Sequence, residues 1–311
     1  MIKSNYKSVL KKYNANYTAL TPVSFLERAA SIFPNYISII SENKKFTWKE
    51  TFSRCCLFAS SLKKKKIKPG DTVSIMAPNT SAMYEAHFAI PMIGAVINTI
   101  NIRLDAKTIS YILEHSDSKL IFVDTEFIPI VKKALKISRI KIPIIYIDDC
   151  KNFSKNIGKD QSYENFLKMG HIENFKSNFS LKEEWFPISI CYTSGTTGYP
   201  KGVVTHHRGA YLNSISNQLA WHMQKHPVYL WTLPMFHCNG WCFPWTVAAL
   251  AGTNICLRKV EAKKIFNLIK KYNVSNLCGT TVVINMLIEN GTKLKRKVEL
   301  MTGAAPPPSS V

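Results

Sequence analysis

Short apolar runs alternate along this chain with stretches whose apolar residues recur every three or four positions. That alternation predicts strands separated by helices. Thr47-Trp48-Lys49-Glu50 fits a capping box, and the helix it opens should run through Phe52, Cys56 and Ala59 and stop before Pro69-Gly70. Residues 71–76 read as a strand, and residues 81–92 as a helix that Pro91 kinks or ends. Residues 95–102 read as a strand, and Asp105 caps a helix carrying Ile109, Ile112 and Leu113. Residues 119–124 and 142–148 are strand-like again. Residues 149–182 are polar, without sustained periodicity, and read as a linker or surface excursion. Beyond Trp185 come a strand over 187–193, a Gly/Thr loop and a short strand over 203–205. A helix follows, with Leu212, Ile215, Leu219 and Met223 spaced as one buried stripe. An amphipathic helix over 261–272 leads to a strand over 274–277. No internal repeat is visible.

This order predicts an α/β protein built from parallel β-α-β units, with ligand loops at the strand C-terminal ends. The length, 311 residues, suggests two units: a first α/β subdomain over 1–180, with the polar excursion 149–182, and a second over 181–311. Composition agrees with a large core, since 46% of residues are hydrophobic and 20% charged, which excludes a disordered or collagen-like chain.

Residues 88–100 are too short to span a bilayer. The stretch without formal charge between Lys225 and Arg258 contains Pro227, Pro234, His237, Asn239, Gly240, Pro244 and Gly252. Those residues would leave backbone groups unsatisfied in lipid, so the stretch reads as a protein interior with no transmembrane segment. The N-terminus shows no apolar secretory core. Eight cysteines without a CxxC pair read as reduced thiols of an intracellular protein.

The formal net charge is +21, yet only seven of the 41 basic residues are Arg. Phosphate recognition by bidentate forks would use more Arg. The one dense cluster, residues 63–66 with Lys68, falls where a helix should end and offsets its dipole. Scattered surface lysine is the favoured reading, and no nucleic-acid partner is expected.

The most informative stretch is Tyr192-Thr193-Ser194-Gly195-Thr196-Thr197-Gly198-Tyr199-Pro200-Lys201-Gly202. Glycines let amide groups approach an anion and allow positive φ, and successive amides can form a nest around phosphate oxygens. Four hydroxyls add donors or a ligand for Mg²⁺, and Lys201 adds a point charge. Neither a Walker A loop nor a GxGxxG fingerprint is present. A flexible linker shares the composition, but linkers rarely place Tyr-Pro-Lys-Gly after the hydroxyl cluster, between two β-branched runs.

This loop closely resembles the signature of the adenylate-forming acyl-CoA synthetases, the AMP-binding superfamily. The resemblance extends over residues 79–105, 230–245 (LWTLPMFHCNGWCFPW) and 301–311 (MTGAAPPPSSV). The last two look like plant acyl-activating enzymes of the short-chain fatty acid and benzoate–CoA ligase branch, many of them peroxisomal. The resemblance implies the layered α/β N-terminal domain of an adenylate-forming enzyme. It also implies an acid–CoA ligase using ATP, Mg²⁺ and CoA: a carboxylic acid attacks the α-phosphate to give an acyl-adenylate, and CoA thiolate then displaces AMP.

Carried over residue by residue, Thr193, Ser194, Gly195, Thr196, Thr197, Gly198 and Lys201 hold the β- and γ-phosphates. Lys201 and Thr197 are the catalytic candidates, and Thr197 is also the candidate Mg²⁺ ligand. Gly303, Ala304 and Ala305 lie near the adenine and acyl group. His237, Asn239, Gly240 and Trp241 line the acyl pocket. A metal site from His237, Cys238 and Cys242, with His206 or His207, is the competing reading, but its spacing matches no common zinc pattern. Surface or structural duty is expected for His206, His207 and Arg208.

Family members continue past the point where this chain stops at Val311, with a Tyr-Gly-x-(Ser/Thr)-Glu motif, a ribose-binding Asp and a mobile C-terminal domain bearing a catalytic Lys. The expectation is therefore an incomplete second subdomain and an inactive fragment. The final Ser309-Ser310-Val311 is not a peroxisomal tripeptide, which points to the cytoplasm. A noncatalytic nucleotide-binding or interaction protein of the same ancestry is the alternative.

Overall fold

The computed structural model describes residues 9–13, 15–148, 162–172, 183–193 and 198–303. Its strands are β1 (Ile37–Ser41), β2 (Lys44–Thr47), β3 (Thr72–Met76), β4 (Val96–Thr99), β5 (Ser118–Asp124) and β6 (Ile144–Ile147). There follow β7 (Pro187–Thr193), β8 (Lys201–His206), β9 (Val228–Trp231), β10 (Thr253–Cys256), β11 (Asn276–Cys278) and β12 (Glu299–Met301). The helices are α1 (Val23–Ile32), α2 (Trp48–Lys64), α3 (Ser81–Ala89), α4 (Ala106–His115) and α5 (Ile128–Ile137). They continue with α6 (Tyr163–Lys168), α7 (His207–Ala220), α8 (Phe243–Ala249), α9 (Ala262–Tyr272) and α10 (Thr281–Asn290).

The strands form two six-stranded sheets, in the orders β6-β5-β3-β4-β7-β8 and β12-β11-β9-β10-β1-β2. All pairings are parallel except the outermost β7–β8 and β1–β2. Sheet membership does not follow chain order. β7 and β8 join the sheet of β3–β6, while β1 and β2 join the strands after residue 227. Sheet membership is set by which edge is free to pair, and that is a long-range matter.

Burial sorts the helices into layers. One core holds Val73 and Ile97 of the first sheet, Tyr229 and Trp231 of the second, and residues of α1, α2, α3, α6 and α8 between them. A second lies outside the first sheet, where Ile109, Ile112 and Leu113 of α4 and Val131 of α5 meet Ile121 and Val123. The third lies outside the other sheet, where Ile265, Phe266 and Ile269 of α9 meet Leu230 and Ile255. Every residue of α3 is buried, as a helix covered on all sides requires.

Local signals read from the sequence recur here. Thr47 accepts from the Glu50 amide, and the Glu50 carboxylate accepts from the Thr47 amide at 2.7 Å. Asp105 accepts from the Lys107 and Thr108 amides and starts α4. Helix α3 ends at Ala89, and Pro91–Ile93 forms a 3-10 turn.

Two expectations change. Within the polar excursion, α6 buries Tyr163, Phe166 and Leu167 against α2. It is tied in by Arg54, which donates to Glu85 at 2.6 Å and to Glu164 at 2.9 Å, while the Tyr163 hydroxyl donates to Glu85. The expected stripe on α7 is also only half buried: Ile215 packs on the core and Met223, past the helix end, is buried, but Leu212 and Leu219 are exposed. Its buried face is His207, Ala210 and Ser214. Small residues there let α8 approach closely enough for Thr246 to donate to the Ser214 carbonyl at 3.2 Å.

Side chains also cross between the sheets. Arg258, following β10, forks onto Asp124 at the end of β5 at 2.8 and 3.0 Å. The Trp245 indole of α8 donates to the His87 carbonyl of α3. Among the described residues no helix is long and apolar enough to cross a membrane.

Candidate nucleotide and acyl site

The β7–β8 hairpin carries the first half of the site. Its ladder runs from Pro187 opposite His206 to Thr193 opposite Lys201, so Thr193 and Lys201 face each other where the hairpin opens. Both are exposed. Gly198 has φ +100°, and a Cβ there would meet nothing within 4 Å. A residue at positive φ in open space, an exposed ammonium and an exposed hydroxyl are groups that an anion of phosphate size would call on. Ser194, Gly195, Thr196 and Thr197 lie outside the described residues, and with Thr197 goes the candidate Mg²⁺ ligand.

The second half follows β9. Cys238, Asn239, Gly240, Trp241 and Cys242 all have positive φ, between 42° and 64°. Left-handed backbone costs a non-glycine residue about 1–2 kcal/mol, and runs of it are rare. The contacts that hold it are specific. Thr99, at the end of β4, donates to the Phe236 carbonyl at 2.8 Å and accepts from the Asn239 amide side chain at 3.1 Å. Asn217 of α7 donates to the Trp241 carbonyl at 2.8 Å. Just upstream, Asn79 donates to the Trp231 and Leu233 carbonyls and accepts from the Met235 amide, all within 3.1 Å.

The assigned acyl-wall residues divide. Asn239 and Gly240 are buried, Trp241 is half-buried, and His237 is exposed. A Cβ on Gly303 would lie 2.1 Å from the Trp241 ring, so the glycine is what lets this indole lie against the chain after β12. Ala304 and Ala305 lie outside the described residues. The two halves meet at Cys191, two residues before Thr193, whose thiol points at the Phe236 carbonyl at 3.8 Å. Burial pushes the Cys191 thiol up, and raises Cys242 to about 11, so both remain protonated at neutral pH.

His206 and His207, the optional members of the competing metal reading, have other duties, as does Arg208. His206 accepts from the Gly209 amide as the α7 cap and stacks on Trp185 at 4.0 Å. His207 is buried with Thr21 at 2.8 Å, and burial with the neighbouring His206 lowers it to about 4. Arg208 pairs with Glu184 at 2.7 Å. Among the described residues no group of three or more His, Cys, Asp or Glu could hold a metal ion.

Sequence reasoning did not single out Asn79, Thr99 and Asn217. Each is a polar residue in an otherwise apolar or small-residue stretch, and that is the only signal it carried. The site thus assembles at the C-terminal ends of β3, β4, β7, β9 and β12, where open parallel sheets bind ligands.

Comparison with known proteins finds relatives along almost the whole chain. The chain is 47% identical to the peroxisomal acetate/butyrate–CoA ligase AAE7 of Arabidopsis thaliana, over 96% of its own length and 56% of that protein's. It is 43% identical to the peroxisomal trans-cinnamate:CoA ligase of Petunia hybrida, over 97% of its length and 56% of that protein's. The chain therefore spans little more than half the length of these relatives. Its fold matches the inhibitor-bound N-terminal domain of FACL13 from Mycobacterium tuberculosis with a TM-score of 0.82 at 22% identity, covering 94% of this chain and 71% of that one. o-Succinylbenzoate CoA synthetase of Bacillus subtilis, with its acyl-adenylate intermediate bound, matches with a TM-score of 0.76 at 21% identity, over 94% of this chain and 55% of that one. The family model described as AMP-binding enzyme matches residues 26–311, and the chain belongs to that family.

Proposed function

We propose that the chain forms the adenylation site of an ATP-dependent acid–CoA ligase. In the first step a carboxylate oxygen attacks the α-phosphate of ATP, the bond to the β-phosphate breaks, and pyrophosphate leaves. The CoA thiolate then attacks the acyl carbon and AMP departs, leaving a thioester.

The part assigned to this chain is positional and electrostatic. Thr193, Gly198 and Lys201 bind the β- and γ-phosphates and offset charge gathering on the leaving pyrophosphate, a contribution worth a few kcal/mol per well-aimed donor. Asn239, Gly240 and Trp241 shape the acyl wall, with His237 at its exposed rim and Gly303 against the indole. The acids named for the relatives, acetate, butyrate and trans-cinnamate, define the substrate class: a small carboxylic acid with a short aliphatic or aromatic tail.

The observation that carries this reading is the register of the hairpin, which sets Lys201 opposite Thr193 at its open end, beside a strained turn built on Thr99. Calorimetry with MgATP, followed by acid-dependent ATP–pyrophosphate exchange, tests it. The expected result is MgATP binding that Lys201→Ala weakens about tenfold, the effect of one charge-assisted contact. In a complete ligase, exchange supported by butyrate should fall at least as far. A chain that binds no MgATP would sink the reading, and a complete ligase that binds MgATP without exchange would favour the noncatalytic alternative.

A further inference from the structure

Both flanks of the candidate phosphate loop are held from one helix. Entering the loop, Tyr192 lies across Gly202 on the paired strand, where an added Cβ would come 3.1 Å from the tyrosine ring. Its hydroxyl shares a hydrogen bond of 2.8 Å with Nδ1 of His115, the last residue of α4. Leaving the loop, Tyr199 sets its exposed ring against Tyr111, with centroids 5.0 Å apart and planes 32° from parallel. Tyr111 in turn stacks on His115 at 5.3 Å and 29°. Residues four apart on a helix are neighbours on its surface, so Tyr111 and His115 form one face. That face is anchored from behind, because Ile109, Ile112 and Leu113 are buried on the sheet and Asp105 caps the helix start. Burial, with Tyr111 next to it, pushes Tyr192 up to about 12, so the phenol keeps its hydrogen for this contact at neutral pH.

We propose that Tyr111 and His115 are positioning residues for the triphosphate: through Tyr199 and Tyr192 they set the spacing of the two ends of the segment 193–198. Neither touches the chemistry. Each acts by fixing Tyr192 and Tyr199, and so the places of the adjoining Thr193 and Gly198, before a phosphate chain arrives, and this rests on the phosphate-loop reading above. A stacked aromatic pair contributes an amount corresponding to roughly 2- to 12-fold in an equilibrium constant.

The test is a double-mutant cycle on the purified chain with Tyr111→Ala, Tyr199→Ala, the double variant and Tyr111→Phe, with far-ultraviolet circular dichroism confirming the fold of each. Amide hydrogen exchange over 193–202 and calorimetry with MgATP and with AMP are the readouts. The expected outcome is exchange faster by roughly 2- to 12-fold in either alanine variant and MgATP affinity lower by a similar factor. The double variant should be no worse than the worse single, Tyr111→Phe should stay within twofold, and AMP affinity should not change. Unchanged exchange, effects that multiply in the double variant, or an equal loss of AMP affinity would overturn the proposal. Coupled exchange effects among the variants, together with a wild-type chain that binds no MgATP, would instead overturn the phosphate-loop reading and take the triphosphate role with it.

Discussion

At the residue scale the telling feature is the left-handed run at Cys238–Cys242. Four of its five residues carry a Cβ, each disfavoured by about 1–2 kcal/mol, so the turn exists only because its neighbours over-determine it. Cys238 is the exposed member and isolates the backbone effect from packing. An exposed substitution ordinarily changes stability by less than about 0.5 kcal/mol. Here Cys238→Val should destabilise by about 1–2 kcal/mol, because a β-branched residue resists φ of 42°, whereas Cys238→Gly should cause no loss. Urea midpoints of the two variants decide this, and equal midpoints would mean that the turn is not left-handed in solution. The candidate site residues visible in sequence, Thr193, Lys201 and Trp241, are those of the signature stretches. Those that hold the turn, Thr99 and Asn217, stand 140 and 24 residues from the groups they bind. Spacing along the chain could not have linked them.

At the element scale, one side chain makes three of the hydrogen bonds that hold the chain leaving β9. Asn79 satisfies two carbonyls and one amide of residues 231–235, so one amide group replaces the strand pairing that this segment lacks. Asn79→Ala leaves buried backbone groups without partners, and about 2–4 kcal/mol of stability should go with them. Acid binding should weaken by more than MgATP binding, because the wall moves while the hairpin does not. Calorimetry with each ligand separates the two, and equal losses would contradict this account. Helix α7 shows why such arrangements are hard to foresee. Its leucines have helical spacing, yet the face that packs is Ala210 and Ser214, chosen by how near α8 must come. Periodicity reports which positions are apolar, and small residues at a close helix crossing leave no such mark. Caps are the reverse case: Thr47 and Asp105 were readable because each acts within three residues of itself.

For the whole molecule, acid should be the weak side. His87 lies in the layer between the sheets, its Nδ1 donating to the Met83 carbonyl at 2.8 Å, and burial lowers it from 6.5 to about 4. His207 is shifted the same way and to the same value, again chiefly by burial. A depressed imidazole folds in its neutral form. Stability is therefore fully present above about pH 6.5 and is lost as pH falls toward 4, where the unfolded chain takes up protons that the folded chain refuses. His87 alone should remove about 2 kcal/mol at pH 5, with His207 adding in the same direction. A urea midpoint at pH 5.0 equal to that at pH 7.5 would rule this out.

What the amino-acid order determined by itself was local: the helix caps, the strand runs, the Gly/Thr loop with its lysine, and through that loop the family. Those features need only near neighbours, and their residues carry the signal whatever the rest of the chain does. The tertiary structure decided which sheet each strand joins, that α6 is core, which face of α7 is buried, and that Asn79, Thr99 and Asn217 hold the chain after β9. Each of these depends on a surface supplied from far along the chain, as when β1 takes β10 for its neighbour and so brings residues 39 and 254 into register. No periodicity within either segment encodes that choice, because it is made by the free energy of burying both at once.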